Sequence, residues 1–111
     1  MQSVYTFDKL KNFQFEMDYY PTDPWEWLRV YIGDLLSLFS SSYDKSNNFG
    51  LTNLGYSKWV NIIITYVDGV LTISSGSKTA SKNVVLTAPL ELKYYVNKNG
   101  NSVRNVKLKK L

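Results

Sequence analysis

The residues whose side chains stand out chemically in this chain are aromatic and lie close together in the sequence. Trp25, Glu26 and Trp27 follow a segment with two prolines, and Tyr20 and Tyr31 lie on either side of them. A sugar ring has an apolar C–H face that packs on aromatic rings, while its hydroxyl groups bond to carboxylates and amides. The segment is therefore typical of a glycan contact on a stiffened loop. The alternative is that the tryptophans fold over the open end of a hydrophobic core.

A second candidate surface comes from the alternating positions of three segments. Their polar positions are Gln14, Glu16, Asp18 and Tyr20 in the first, Arg29 and Tyr31 in the second, and Glu91, Lys93 and Tyr95 in the third. If these segments are neighbouring strands, the polar side chains share one outward sheet face and form a ligand groove. The alternative is an ordinary solvated face. Taken together, the candidate ligand-binding residues are Trp25, Trp27, Tyr20, Tyr31, Glu16, Asp18 and Arg29.

The elements that must position these residues are short segments with the period-two alternation of β-strands. Strands are predicted at Phe13–Tyr19, Leu28–Ile32, Trp59–Val67, Val70–Ser74, Val84–Thr87, Leu90–Val96 and Val103–Leu108. Asp68-Gly69 is typical of a type I′ hairpin, because both central residues of that turn need a positive φ. Closely spaced strands without a convincing long helix predict an all-β fold, an antiparallel β-sandwich.

Three further segments have weaker patterns. Leu35–Phe39 is compatible with one helical turn or with a strand fragment, and Gly76–Asn83 is predicted to be a polar turn region. Asn97–Asn101 is predicted to be a glycine-containing turn.

Trp59 heads the most apolar strand, so its ring is expected to pack at the edge of the core and not to contact a ligand.

The composition excludes several classes of function. The chain has neither cysteine nor histidine, which removes thiol nucleophiles, thiolate metal sites and the commonest general base. The net charge of +4 is modest, so nucleic acid is not an expected partner. Much of it comes from four residues near the C-terminus: Arg104, Lys107, Lys109 and Lys110. The three lysines are expected to protect an exposed sheet edge against pairing with another chain. The alternative is that they contact phosphate or an anionic polymer.

Length and hydropathy bound the organisation of the chain. No stretch reaches the roughly 18 apolar residues that a membrane span requires. With 111 residues and 44% hydrophobic content, the chain is predicted to form a single β-sandwich domain over residues 1–111. We interpret that domain as a module of a longer protein.

The order of several segments carries a resemblance to a known superfamily. The segments are Lys58–Ile64, Asp68–Ile73, Leu90–Tyr95 and Val103–Leu108, with looser matches at Asn12–Glu16 and Leu28–Asp34. They resemble the second half of a concanavalin A-like (laminin G-like) jelly roll, and the ending is similar to that of the 3-keto-disaccharide hydrolase family. The resemblance implies a compact jelly roll of the kind found in glycan-binding and adhesive modules, including those of phage tail and bacterial surface proteins.

The resemblance also bears on metals and catalysis. By analogy alone, calcium is the one cofactor to consider, with Asp34, Asp44 or Asp68 as ligands, but no dense Asp/Asn ligand loop is present and the metal is left unassigned. Glu16-Met17-Asp18 matches the start of the Glu-x-Asp-x-Glu signature of a retaining glycoside hydrolase family on this fold. Tyr20 stands where the third acidic residue belongs, and a retaining mechanism needs two carboxyls about 5 Å apart, so no catalytic residue is expected.

The resulting hypothesis is a non-catalytic, lectin-like module that binds a cell-surface or cell-wall glycan. The resemblance implies that the module belongs to a phage tail protein, which is a viral protein, or to a surface protein. Its expected location is therefore a virion or an extracellular cell surface. The alternative is a structural module that mediates protein–protein contacts with other virion or surface-protein chains.

Overall fold

The computed structural model describes residues 2–7, 12–41, 49–87, 89–96 and 103–111. Its strands are β1 (Gln2–Phe7), β2 (Phe13–Tyr19), β3 (Trp27–Ile32), β4 (Leu35–Ser40), β5 (Gly50–Leu51), β6 (Val60–Val67), β7 (Val70–Ser75), β8 (Lys78–Asn83), β9 (Leu90–Val96) and β10 (Val103–Lys110). No residue in these ranges is helical. The predicted all-β class is confirmed.

The strands form two five-stranded sheets that pack against each other. One sheet has the order β1-β9-β3-β4-β5 and the other the order β10-β2-β6-β7-β8. All paired strands within the described ranges are antiparallel except β4 and β5, which are parallel. The two inner faces enclose one apolar core, so the predicted antiparallel β-sandwich is confirmed.

Period-two alternation explains which side chains form that core. In β2, β3 and β6 every second residue is buried, as expected for strands with one face toward the opposite sheet. The fully buried side chains with the largest volumes are Tyr19, Phe13, Phe15, Phe39, Met17, Leu28, Ile32, Ile62, Ile64, Leu71, Ile73 and Leu92. Burial of these side chains is the main favourable contribution to folding.

The hairpin predicted at Asp68-Gly69 is confirmed. Asp68 and Gly69 have φ values of 50° and 83°, the positive pair that a type I′ turn requires, and Val67 pairs with Val70 across it. The last strand, β10, lies antiparallel beside β2.

The structure decides between the two alternatives for one segment and shows that two other predictions about local structure were wrong. Leu35–Phe39 is strand in β4, because Gly33, at a φ of 60°, and Asp34 form a tight turn that returns the chain alongside β3. Gly76–Asn83 contains the edge strand β8, whose side chains are largely exposed; its backbone pairs with β7, so the strand needs no apolar pattern. Val84–Thr87 is not a strand. The predicted turn at Asn97–Asn101 lies outside the described residues.

Candidate functional site

The seven candidate binding residues do not lie on one surface. Glu16 and Asp18 lie on the outer face of the sheet that contains β2, whereas Arg29 and Tyr31 lie on the outer face of the other sheet. The prediction that β2, β3 and β9 share one face is therefore wrong for β2. It holds for β3 and β9, where Arg29 pairs with Tyr95. The reason is that the loop between β2 and β3 carries the chain from one sheet to the other.

Six aromatic side chains, four of them exposed, lie at one end of the sandwich. We call this region, where β2 and β9 end and β3, β6 and β10 begin, the aromatic end, and define it by Tyr20, Trp25, Trp27, Tyr56, Trp59 and Tyr95. The exposed fractions are 71% for Trp25, 48% for Tyr56, 41% for Tyr95 and 38% for Trp59. Exposed rings grouped in this way are characteristic of interaction surfaces.

The loop that carries Trp25 is held by hydrogen bonds at its base. The backbone N–H of Trp25 donates to Asp23 Oδ1 at 2.9 Å. The Glu26 carboxylate, only 3% exposed, accepts the backbone N–H and the hydroxyl of Thr22. The Glu26 side chain is buried, whereas the neighbouring Trp25 ring is exposed.

The same loop is also attached to the rest of the sandwich. The Ser41 hydroxyl donates to the carbonyl of Asp23 at 2.9 Å, and the Ser41 backbone N–H donates to the carbonyl of Glu26 at 3.2 Å. The N–H of Ser57 donates to the carbonyl of Pro21 at 2.7 Å. The loop is therefore fixed to both of its neighbouring chain segments, and Trp25 is presented on a rigid support.

Trp27 lies on the outer face of its sheet and not over the core. Its ring is 5.6 Å from that of Tyr95, and the Arg29 guanidinium lies 4.2 Å from its centroid, within the range of a cation–π contact. Arg29 Nε is buried, and its N–H finds no hydrogen-bond acceptor in the described part of the chain. With Arg29, these two rings of the aromatic end form a compact cluster.

Trp59 was expected to pack at the edge of the core, and this prediction was wrong. The Val60 side chain points inward, so period-two alternation places the Trp59 and Asn61 side chains on the outer face. There the Trp59 ring packs 5.2 Å from Tyr20 and 3.6 Å from the Arg104 guanidinium. The alternation of β6, extended by one residue, was the signal that could have placed it.

Asp18 is the centre of a hydrogen-bonded group that includes Arg104, which contacts Trp59. Its carboxylate accepts bonds from Asn105 at 2.8 Å, Asn61 at 3.1 Å and Arg104 at 3.4 Å. Asn61 also donates to Glu16 at 2.9 Å. Sequence reasoning included the two carboxylates and missed the three residues that bind them, because these lie 43 to 87 positions from Asp18.

The Asp18 carboxyl has a lowered pKa, chiefly because the side chain of Asn105 donates a hydrogen bond to its ionised form. Hydrogen bonds from Asn61 and Arg104 act in the same direction, and partial burial opposes them. A depressed pKa in the folded state means that ionised Asp18 stabilises the fold above the ordinary carboxyl pKa. That stabilisation is lost as the pH falls through the folded value.

We therefore expect the variant Asp18→Asn to lose part of the pH dependence of stability at acid pH. The wild type should lose stability as the pH falls from about 5 to 2, the range in which carboxylates protonate. The variant should be less stable than the wild type at pH 7, with the difference shrinking toward pH 2. Urea unfolding at several pH values measures this; a constant difference at every pH would contradict the assignment.

A groove of 390 Å³ opens beside Trp59. Its walls come from the segment before β6 and the start of that strand, and from the turn between β7 and β8; its lining residues are Asn53, Leu54, Lys58, Trp59, Val60, Asn61, Ser75, Gly76, Ser77 and Lys78. A larger cleft of 520 Å³ lies at the opposite end, between the β3–β4 turn and the segment before β9, and contains none of the predicted binding residues.

Neither a metal site nor a membrane helix is found in the described ranges. No group of three or more histidine, cysteine, aspartate or glutamate residues there could hold a metal ion, and no helix is long and apolar enough to cross a membrane. Of the three aspartates considered as calcium ligands, Asp68 accepts a hydrogen bond from Asn12 at 3.4 Å, and Asp44 lies outside the described residues.

No protein-family model, curated protein or solved structure matches this chain. The resemblance to concanavalin A-like jelly rolls therefore stays a prediction.

Proposed function

We propose that this protein is a non-catalytic carbohydrate-binding module that contacts a cell-surface or cell-wall glycan with its aromatic end. The observation that carries the proposal is Trp25, 71% exposed on a loop fixed by hydrogen bonds from Thr22 and Ser41. Because hydrogen bonds already hold the backbone that carries this ring, less conformational entropy is lost on binding. The C–H face of a pyranose is a suitable partner for it.

Polar groups near the rings supply the directional contacts that a glycan needs. The outer face beside Trp59 carries the Asp18 carboxylate together with Asn61, Asn105 and Arg104. Such groups bond to hydroxyls and so distinguish one sugar from another, while the rings supply affinity. The combination matches the aromatic-plus-amide surface expected of a glycan contact.

Binding at one site is expected to be weak. A small saccharide covers little area, so a dissociation constant between millimolar and high micromolar, about 4 to 6 kcal/mol, is expected. Several linked copies would strengthen binding through avidity. We therefore propose that the module acts in several linked copies, on a virion or on an extracellular cell surface.

The test replaces Trp25 and Trp27 with alanine, separately and together, and measures glycan binding by array and by titration alongside thermal unfolding. Trp25→Ala should weaken binding about tenfold or more at unchanged stability, because the ring is exposed. Val85→Ala is the matched control, since Val85 is 92% exposed and lines the cleft at the opposite end.

Two results would overturn the proposal. One is wild-type glycan affinity in the double variant. The other is self-association or capture of a defined partner chain that Trp25→Ala abolishes, without binding of any glycan by the wild type; the aromatic end would then be a protein-assembly surface.

A further inference from the structure

The groove beside Trp59 carries positive charge at two of its walls. Lys58 and Lys78 are the charged residues among those that line it, and its other polar lining residues are neutral asparagines and serines. Lys58 comes from the segment before β6, and Lys78 begins β8 on the far side of the β7–β8 turn. The two ammonium groups therefore belong to different walls of one groove.

The Lys58 side chain packs against Gly55. Gly55 has a φ of 87°, and a Cβ atom there would lie 2.7 Å from Lys58 Cε and 3.1 Å from its Nζ. The lysine side chain thus lies against the bare backbone of Gly55, whose N–H donates to the Ser41 carbonyl at 2.7 Å. Packing against a fixed segment reduces the entropy that the lysine loses when it binds a ligand.

Two carboxylates lie near the groove but are not among the residues that line it. Glu16 and Asp18 lie on the adjoining outer face, where Asn61 donates to both of them. Asp18 also pairs with Arg104 at 3.4 Å, and this cation offsets its charge. Lys58 and Lys78 are therefore the charged side chains that a molecule meets on the walls of the groove.

From this arrangement we infer that the glycan is acidic, and that Lys58 and Lys78 bind its carboxylate, sulfate or phosphate group in the groove beside Trp59. The inference rests on the proposed function. The groove wall is joined to the Trp25 loop through the bond from Ser57 to Pro21, so one saccharide chain can contact both. Ammonium groups are compact donors that suit all three anions.

The experiment compares saccharides of matched length: a dextran oligomer, its sulfated form, a phosphorylated form and an oligogalacturonate. We expect at least one acidic form to bind about tenfold more tightly than neutral dextran at low salt. The advantage should shrink as ionic strength rises, since salt screens exposed charges. The anionic form with the largest advantage identifies the acidic group.

The decisive variant is Lys58→Gln with Lys78→Gln, which keeps side-chain length and removes both charges. It should lose the preference for acidic saccharides and keep the affinity for neutral dextran. Lys107→Gln with Lys109→Gln is the control, because it removes the same charge from exposed positions on β10 outside the groove. Equal losses in the two double variants would show a general charge effect and overturn the inference.

Failure of this inference is distinguishable from failure of the proposed function. If Trp25→Ala weakens binding while the Lys58/Lys78 variant behaves as wild type, the module binds glycans and the acidic specificity is wrong. If the Trp25/Trp27 double variant binds every saccharide with wild-type affinity, the proposed function is wrong. A separate titration with inorganic sulfate, followed by the Trp59 indole N–H resonance, reports on the groove alone: a saturable shift that the lysine variant abolishes supports the anion site, and no shift opposes it.

Discussion

Ile64→Ala is expected to lower the free energy of unfolding by about 2 to 5 kcal/mol. Ile64 is fully buried in β6, between Phe15 of β2 and Ile73 of β7. The substitution removes apolar contacts on all sides and leaves a cavity that the two packed sheets close only in part. A loss of this size is a large fraction of the stability of an ordinary domain.

Urea unfolding of Ile64→Ala beside Lys109→Ala measures the effect. Lys109 is exposed on the edge strand β10, so its truncation should change stability by no more than about 0.5 kcal/mol. Equal unfolding midpoints for the two variants would mean that the inner face of β6 is not part of the core.

Glu26→Ala is expected to have the next largest effect, and to act on both stability and binding. The buried carboxylate accepts two hydrogen bonds from Thr22, and bonds to a charged acceptor contribute about 1.5 to 3 kcal/mol each in buried settings. Thr22 is exposed and finds water once the carboxylate is gone, so the net loss of stability should be about 1 to 3 kcal/mol. Trp25 stays in the chain but loses its rigid support.

Saccharide titration and amide hydrogen exchange test this together. Glu26→Ala should weaken glycan binding several-fold and speed exchange at Thr22, although no ring has been removed. Glu91→Ala is the control, since Glu91 pairs with Lys93 at 3.2 Å on the outer face of the sheet and lies on the surface. Wild-type exchange and binding in Glu26→Ala would show that the loop does not depend on its buried carboxylate.

The burial of Ile64 can be predicted from the sequence, whereas the burial of Glu26 cannot. The inward face of β6 follows from alternation alone, because every second residue must face the opposite sheet. The role of Glu26 does not follow from alternation, because a carboxylate between two tryptophans is normally interpreted as a polar surface group. Its burial depends on Thr22 and on the passage of the loop across the end of the sandwich.

The candidate site was predicted in part for the same reason. Trp25 was identified from its type and from the prolines before it. Arg29, Tyr31 and Tyr95 were correctly placed on one face, since β3 and β9 are neighbours. Glu16 and Asp18 were expected on the same face if β2 and β3 were neighbours, but β2 belongs to the other sheet. Alternation tells which side of its own sheet a residue faces and nothing about which sheet the strand joins.

Three features follow from the sequence alone, because they depend on local backbone geometry and on side-chain period: the strands with strong alternation, their inward faces and the turn at Asp68-Gly69. The assignment of strands to two sheets, the edge strand β8 and the partners of Asp18 depend on tertiary contacts. Strand pairing satisfies backbone groups that every residue type carries, so polar segments such as β8 pair without leaving a pattern. Contacts such as that between Asp18 and Asn105 exist only after distant strands have come together.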